Sequence, residues 1–522
     1  VSSIIISERT RSLVVPRAGA VVTMFPEAKQ LVYQNEAHIV LPHGVREQMI
    51  LKRLGYKSVP NPITKYYDWP GGKKPFAVQM KTCAMLTENP RAYVLNHMGT
   101  GKTKSALWAW DWLFKSGICG KALVVAPLST INFVWAREVF ATLPHRRSQV
   151  LYKTRMQRLD RLRDLTADIY IINHDGVKTI YDDLLARTDI DTLIIDELAV
   201  YRNNNDRSKL MRKLAERFQW VWGMTGAPMP NEPTDVWGQA KIVTPSTVPK
   251  YRKHAEDMLM TRVNNFKLLP KPDAVETAFR MLQPAVRYSL DDVTELPDVV
   301  SRTIDVELTE HQKRAYRILA REFQIMIKDK TITALNAAGA MNKLLQVSTG
   351  WVYAGEKKDV VVIDNKTRMD TLIDLINANA RKLLVFCPYR HAVEGISKLL
   401  DAADGGGIEH AVIHGDVSNR DHIFNLFQNT TKYKVLLAHP QCLAHGVTLT
   451  AADTIIWFSP TPSLEIYDQA NARIRRIGQQ HRQQILHLQS TPVERKLYKL
   501  LTDKADIQSQ LLNMFETATE NM

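Results

Sequence analysis

A chain of 522 residues is too long for one hydrophobic core, and 45% hydrophobic with 24% charged residues is the balance of a folded protein, not a disordered one. The longest apolar runs, such as TLIID and ALVVAPL, are strand-sized and far short of a membrane span, so no membrane partner is expected. A formal net charge of +15 favours polyanionic partners, and without a block of five or six like charges it is spread over folded surface.

Residues 1–65 hold short strand-like runs (GAVVTMF, KQLVYQ, AHIVLP) and read as a small accessory module. No long apolar segment followed by a small-residue cleavage site occurs in residues 1–25, so no signal peptide is read. From residue 92 short β-branched runs alternate with helical patterns: AYVLN, a helix through TKSALWAWDWLF, then KALVVAP, INFVWAREVF, DIYIIN and DTLIIDE. Apolar strands separated by amphipathic helices predict a parallel sheet covered on both faces. This gives a first α/β unit over 66–245. Residues 246–365 read as mostly helical, broken by LLPKPD and ELPDVV. The alternation restarts near 382 with KLLVFCP, a helix from about 391, EHAVIHG, NRDHIFNLFQ, YKVLLA and DTIIWFS, placing a second α/β unit over 366–522. DGGGIE at 404–409 reads as a turn. Cys83, Cys119, Cys387 and Cys442 stand far apart without metal-ligand spacing and read as reduced thiols of a cytoplasmic protein.

The chemistry is expected around NHMGTGKTKS, residues 96–105. Gly99 and Gly101 permit a tight turn whose N–H groups face phosphate oxygens, and the following helix adds its N-terminal dipole. Lys102 would contact the β- and γ-phosphates and the Thr103 hydroxyl would ligate Mg²⁺. Thr100 and Lys104 complete the loop. The strict phosphate-loop pattern has Gly five residues before Gly101, where this chain has Asn96. TLIIDEL ends an apolar strand in Asp196 and Glu197, the first placed for the second magnesium contact and the second to orient a water. Arg473 and Arg476 in QANARIRRIGQQ, spaced i, i+3, are expected on one helical face to stabilise charge on the transferring phosphoryl group.

These stretches, in this order, resemble the Swi/Snf-like branch of the superfamily-two helicases and translocases, in a compact phage or bacterial form. PFAVQ (75–79) resembles the adenine-reading element, with Gln79 for the base edge and Phe76 flanking it. VVAPLSTINFVWAREV (124–139), IINHDGV (171–177), DELA (196–199) and MTGAPMPNEPTDVWG (224–238) resemble successive family motifs. So do IHGDVSNRDHIFNLFQ (413–428), HGVTLTAAD (445–453) and QANARIRRIGQ. Ala199 replaces the usual His, Thr448 stands where Asn is common, and Gln441–Leu443 departs from the usual Gly-Gly.

The resemblance implies two tandem RecA-like parallel-sheet lobes with a helical inter-lobe insertion, and ATP-driven movement along duplex or branched DNA. Thr225, Gly446 and Gln469 would couple the lobes, while Ser129, Asn173, His414 and Arg420 would contact nucleic acid. Trp135 and Trp237 read as packing residues. The two-lobe design works as a monomer. A strand-separating DNA or RNA helicase, or a nucleic-acid scaffold that binds ATP without cycling, are the alternative readings.

Overall fold

A computed structural model describes residues 4–56, 59–72, 74–263, 268–293, 296–328, 334–354, 359–403, 407–443 and 447–503. The chain forms two compact units, 1–293 and 294–522. Among the described residues no helix is long and apolar enough to cross a membrane.

The first unit opens with an antiparallel sheet of β1 (Ile5–Ser7), β2 (Ser12–Pro16), β3 (Lys29–Tyr33) and β4 (Glu36–Pro42), in the order β1-β2-β4-β3. Alternate residues Leu13, Val15, Ile39 and Leu41 point to one side, where Val21 and Leu51 from helices Gly19–Met24 and Val45–Arg53 cover them. GAVVTMF is therefore a helix and not the expected strand. An antiparallel sheet with one apolar face needs a cover, and Phe25 N–H closes the turn on the Val21 carbonyl at 3.0 Å. Glu88 clamps this module to the helix Ala77–Glu88: Gln48 donates to it at 2.8 Å, Lys52 at 2.7 Å and Asn61 at 3.0 Å.

The body of the unit is a seven-stranded sheet with parallel pairings throughout: β5 (Arg91–Val94), β6 (Lys121–Ala126), β7 (Ser148–Leu151), β8 (Ile169–Asn173), β9 (Ile190–Asp196) and β10 (Trp220–Met224), joined by β13 (Ala285–Val286). The order is β13-β5-β10-β9-β6-β8-β7. Leu123, Val125, Leu193 and Ile195 pack on one face, and Ala122, Val124, Ala126 and Ile194 on the other. Both faces are covered, as the unbroken apolar runs require. A hairpin of β11 (Met260–Arg262) and β12 (Leu268–Pro270) lies between the helices Arg252–Leu259 and Ala274–Met281. The Arg91 guanidinium collects four carbonyls, Ala215 and Phe218 at the end of one helix and Ile242 and Val243 at the end of another, at 3.0–3.2 Å. Helix C-termini leave such carbonyls unpaired, and a cation suits them.

In the second unit β14 (Val299–Asp305), a hairpin of β15 (Trp351–Ala354) and β16 (Asp359–Val362), and β17 (Lys382–Phe386), β18 (His410–Ile413), β19 (Val435–Ala438), β20 (Ala452–Trp457) and β21 (Gln483–Gln489) are the strands. All but the hairpin form a parallel sheet ordered β14-β21-β20-β17-β19-β18. The stretch 246–365 is thus divided: its first two helices belong with the first unit, while Glu310–Lys328 and Ala334–Thr349 belong with the second. It also supplies an edge strand to each large sheet. Of the 404–409 turn, residues 404–406 lie outside the described residues.

Arg368, 1% exposed, and Glu494, fully buried, pair at 2.7 Å in the second unit. The guanidinium also donates to the carbonyls of Phe458 (2.7 Å), Leu488 (2.9 Å) and Ser348 (3.1 Å), and Ser348 Oγ donates to Glu494 at 2.9 Å. Removing one partner of such a pair leaves an uncompensated buried charge. Arg368→Met is expected to lower stability by about 3–5 kcal/mol, read as a fall in the urea midpoint of the transition that reports the second unit.

Candidate active site

β5 ends at Val94, and residues 95–101 carry the chain into the helix Lys102–Lys115. Gly99 and Gly101 have φ of +83° and +80°, the left-handed region that favours glycine. A Cβ at Gly101 would also overlap the Gln79 side-chain amide. That amide donates to the Thr100 carbonyl at 3.3 Å, while Gln79 Oε1 accepts from Phe76 N–H at 3.0 Å. Phe76 and Gln79 therefore brace the loop from the start of helix Ala77–Glu88. Thr100 Oγ1 donates to the His97 carbonyl at 2.8 Å.

Lys102 Nζ donates to the Asn96 carbonyl at 2.8 Å. The Asn96 side chain explains why a non-glycine residue serves here: Nδ2 donates to Thr82 Oγ1 at 3.2 Å and Oδ1 accepts from Tyr288 N–H at 2.9 Å. Asn96 thereby ties the loop to a neighbouring helix and to the segment beyond β13. Thr103 follows in the first helical turn, and Lys104 Nζ lies 3.4 Å from Glu138.

Asp196 ends β9, the neighbour of β10, which itself pairs with β5. Its carboxylate is held through both oxygens. Oδ2 accepts the Trp135 indole N–H at 2.8 Å, and Oδ1 accepts Glu197 N–H at 3.1 Å. Desolvation raises the Asp196 pKa above the ordinary aspartate value, against the opposing pull of the Trp135 hydrogen bond and the Lys102 charge. Glu197 has φ +51°, a left-handed conformation uncommon for a residue with a side chain. After β10, Thr225 N–H bonds the Val94 carbonyl at 3.1 Å, and a methyl built on Gly226 would lie 3.5 Å from Lys102 Nζ. The TGAP segment thus abuts the loop, a proximity that spacing alone did not reveal.

Trp135 is fully buried, as a packing residue should be, and it also reaches Asp196. Trp237 is packing: its N–H donates to the Pro249 carbonyl at 3.0 Å and Arg212 lies over its ring at 5.1 Å. Ser129 sits exposed in the turn after β6. Asn173 is buried, with Oδ1 accepting from Arg158 at 3.1 Å. In the second unit His414 Nδ1 accepts from Asp416 N–H at 3.4 Å, and Arg420 donates to the carbonyls of Val417 (2.9 Å) and Gly415.

The expectation that Arg473 and Arg476 share a helical face is not met, because the helix Leu464–Asn471 ends before them. Arg473 Nε turns back onto the Gln469 carbonyl at 2.7 Å and Nη1 reaches the Val447 carbonyl at 3.2 Å. Arg476 donates to the Ala472 carbonyl at 3.1 Å and to Thr448 Oγ1 at 2.8 Å. Satisfying terminal carbonyls with side chains stops the helix. Gln469 Nε2 donates to Glu465 at 3.1 Å. Gly446 lies outside the described residues.

Two tandem parallel sheets, the first with a glycine loop at a helix N-terminus beside a strand-end Asp-Glu pair, define a helicase-type ATPase. Residues 78–352 match the SNF2-related domain and residues 367–478 the helicase conserved C-terminal domain. The chain belongs to the SNF2-related family and uses ATP. It is 26% identical over 450 residues to protein p41 of Acyrthosiphon pisum secondary endosymbiont phage 1, covering 77% of this chain and 91% of that one. It is 24% identical over 451 residues to an uncharacterised ATP-dependent helicase of Mycoplasma pneumoniae, and 21% identical over 443 residues to the human DNA annealing helicase and endonuclease ZRANB3. The alignments take in 83% and 82% of this chain but only 42% and 39% of those longer proteins. A solved Sulfolobus solfataricus SWI2/SNF2 ATPase core in complex with dsDNA aligns over 86% of this chain and 96% of its own, at 21% identity and a TM-score of 0.39.

Two outcomes are expected. Gly101→Ala should weaken ATP binding by about tenfold or more, because it strains the loop and displaces Gln79; titration with a fluorescent ATP analogue checks this. Asp196→Asn removes a carboxylate whose folded pKa is raised. Such a group destabilises the fold only where it is ionised. The stability of the variant relative to the parent should therefore rise with pH from about 4, the ordinary aspartate value, up to the folded pKa and then level off. Urea unfolding across that range measures it.

Proposed function

We propose that the chain is an ATP-driven motor that tracks along duplex or branched DNA in replication, recombination or repair. The observation that carries this reading is Lys102, set in a glycine-shaped loop, in the field of Asp196 and beside Gly226. A phosphate chain replacing the Asn96 carbonyl as acceptor would give its ammonium a β,γ-phosphate contact. Backbone N–H groups of Gly99, Thr100 and Gly101, with Lys104 nearby, would cradle the remaining oxygens. Phe76 and Gln79 would take the adenine.

The Thr103 hydroxyl and the Asp196 carboxylate are hard oxygen donors of the kind that suits Mg²⁺. That ion, when bound with ATP, neutralises charge on the β- and γ-phosphates. Glu197 would orient the attacking water, and Arg473 and Arg476 of the second unit would stabilise charge in the transition state. Thr225, Gly446 and Gln469 would pass the change between lobes. Functionally, 1–65 would serve as an accessory module that recognises a DNA structure such as a fork or else braces the first lobe, 66–245 as the ATP-binding lobe, 246–365 as insertion and linker, and 366–522 as the second lobe.

DNA as the track is favoured by the +15 charge and by the SNF2-related kinship. Ser129 follows β6, Asn173 ends β8, His414 follows β18 and Arg420 opens the helix Arg420–Asn429; these are the proposed nucleic-acid contacts, the buried Asn173 acting through Arg158, which it binds. A monomer in the cytoplasm of a bacterium or a phage-infected host fits the design.

ATP hydrolysis measured without nucleic acid, with duplex DNA, with single-stranded DNA and with RNA tests the proposal. Duplex DNA should stimulate turnover most, in a salt-sensitive way, and Lys102→Ala should cut kcat by about 10²–10³. Glu197→Gln should retain ATP without turning it over. Preference for single strands or RNA would favour a strand-separating helicase, and absence of hydrolysis a scaffold.

A further inference from the structure

We infer that Trp135 is a positioning residue for the ATP site: its indole N–H sets the orientation in which Asp196 presents its carboxylate. The inference rests on the assignment of Asp196 to the magnesium ion made above.

The bond goes to a charged group, where other core indoles that donate do so to neutral ones, Trp457 among them, onto the Asn471 amide oxygen at 2.9 Å. Trp108, Trp110, Trp222 and Trp237 each donate to a backbone carbonyl, the bland way to satisfy a buried N–H. Trp135 is fully buried and donates to a carboxylate at 2.8 Å instead. Bringing an anion against the core is costly, and a carbonyl would have satisfied the indole without it. With Glu197 N–H on Oδ1 and the indole on Oδ2, rotation of the carboxylate about its Cβ–Cγ bond is blocked from both sides.

The indole itself is anchored. Ile131–Ala136 forms a π-helical turn in which Trp135 N–H bonds the Thr130 carbonyl at 2.9 Å, and Thr130 N–H and Oγ1 both bond the Pro127 carbonyl at 2.9 Å. Such turns carry one more residue than an α-helix and re-aim side chains. Here the turn delivers an indole from the end of β6 across to the end of β9. A partner outside the ligand shell that orients a metal-binding carboxylate is worth about 10–100-fold in metal affinity.

The test uses a fluorescent ATP analogue bound by the full chain in the presence of Mg²⁺ and, separately, in EDTA, so that the gain in affinity due to the ion is read without turnover. Trp135→Phe should leave the EDTA affinity unchanged and reduce the Mg²⁺-dependent gain by about tenfold. Asp196→Ala should abolish the gain, and Trp135→Phe added to it should change nothing more. A native gain in Trp135→Phe, or effects of the two substitutions that simply add, would overturn the inference. A gain that survives Asp196→Ala would overturn the metal assignment itself, a failure of different origin. If the phenyl ring leaves the core too loose to fold, β-(3-benzothienyl)alanine at position 135 keeps the shape and lacks the N–H. Loss of the gain in that variant supports the inference and a native gain refutes it.

Discussion

Both large sheets are parallel and covered on both faces, and this limits chemistry to the ends of strands. A residue inside β6 or β9 has neighbours above, below and to either side, so a ligand can meet the chain only where it leaves the sheet. The loop 95–101 follows β5, the Ser129 turn follows β6, Asn173 ends β8, Asp196 ends β9 and Thr225 follows β10. Parallel pairing brings these ends to one edge of one sheet. In the second unit the same rule puts His414 just after β18. The scatter of motifs along the sequence and their convergence in space are one fact seen twice.

Charges in the molecule fall into two kinds, separated by how completely the protein satisfies them. Arg368 and Glu494 are enclosed, paired and bonded to carbonyls and hydroxyls on every side, so nothing remains to offer a ligand. Lys102 is held differently. Its 2.8 Å bond is to a neutral carbonyl, an acceptor that a phosphate oxygen can outcompete. Asp196 is supported by an indole and a backbone N–H and lies in the field of Lys102. At both groups these hydrogen bonds are to neutral partners. The raised pKa of Asp196 is the cost of enclosing its carboxylate.

Much of this was legible in the sequence. Long apolar strands between amphipathic helices have no other stable arrangement, and Gly99 and Gly101 mark a tight turn whose left-handed backbone the structure has at both places. Edge strands were not legible. β14 is bonded on one side only, so VVSRTID can be largely polar and still pair, and amid helical periodicity it gives no signal. GAVVTMF misled because its apolar residues Ala20, Val21, Val22, Met24 and Phe25 fit a strand as well as a short covering helix; only the need to cap an apolar sheet face decides between them. Trp135 was half legible, since burial follows from its composition whereas the partner of its N–H depends on a strand sixty residues away.

The QANARIRRIGQ stretch has a mechanical part in the fold. Gln469 supplies the carbonyl that receives Arg473, Arg473 reaches on to the Val447 carbonyl, and Arg476 takes the Thr448 hydroxyl. Gly478 has φ +99°, and Gln479 Nε2 donates to the carbonyls of Ala452 at 2.9 Å and Ile474 at 3.2 Å. Gln469, Arg473, Arg476 and Gln479 are thus spent on stopping one helix and fastening residues 447–452 to it. Thr448, where Asn is common, still offers an oxygen to Arg476, so the substitution keeps the fastening. Both arginines are held through Nε by a backbone carbonyl and through Nη1 by a second oxygen, so the fold itself decides their orientation.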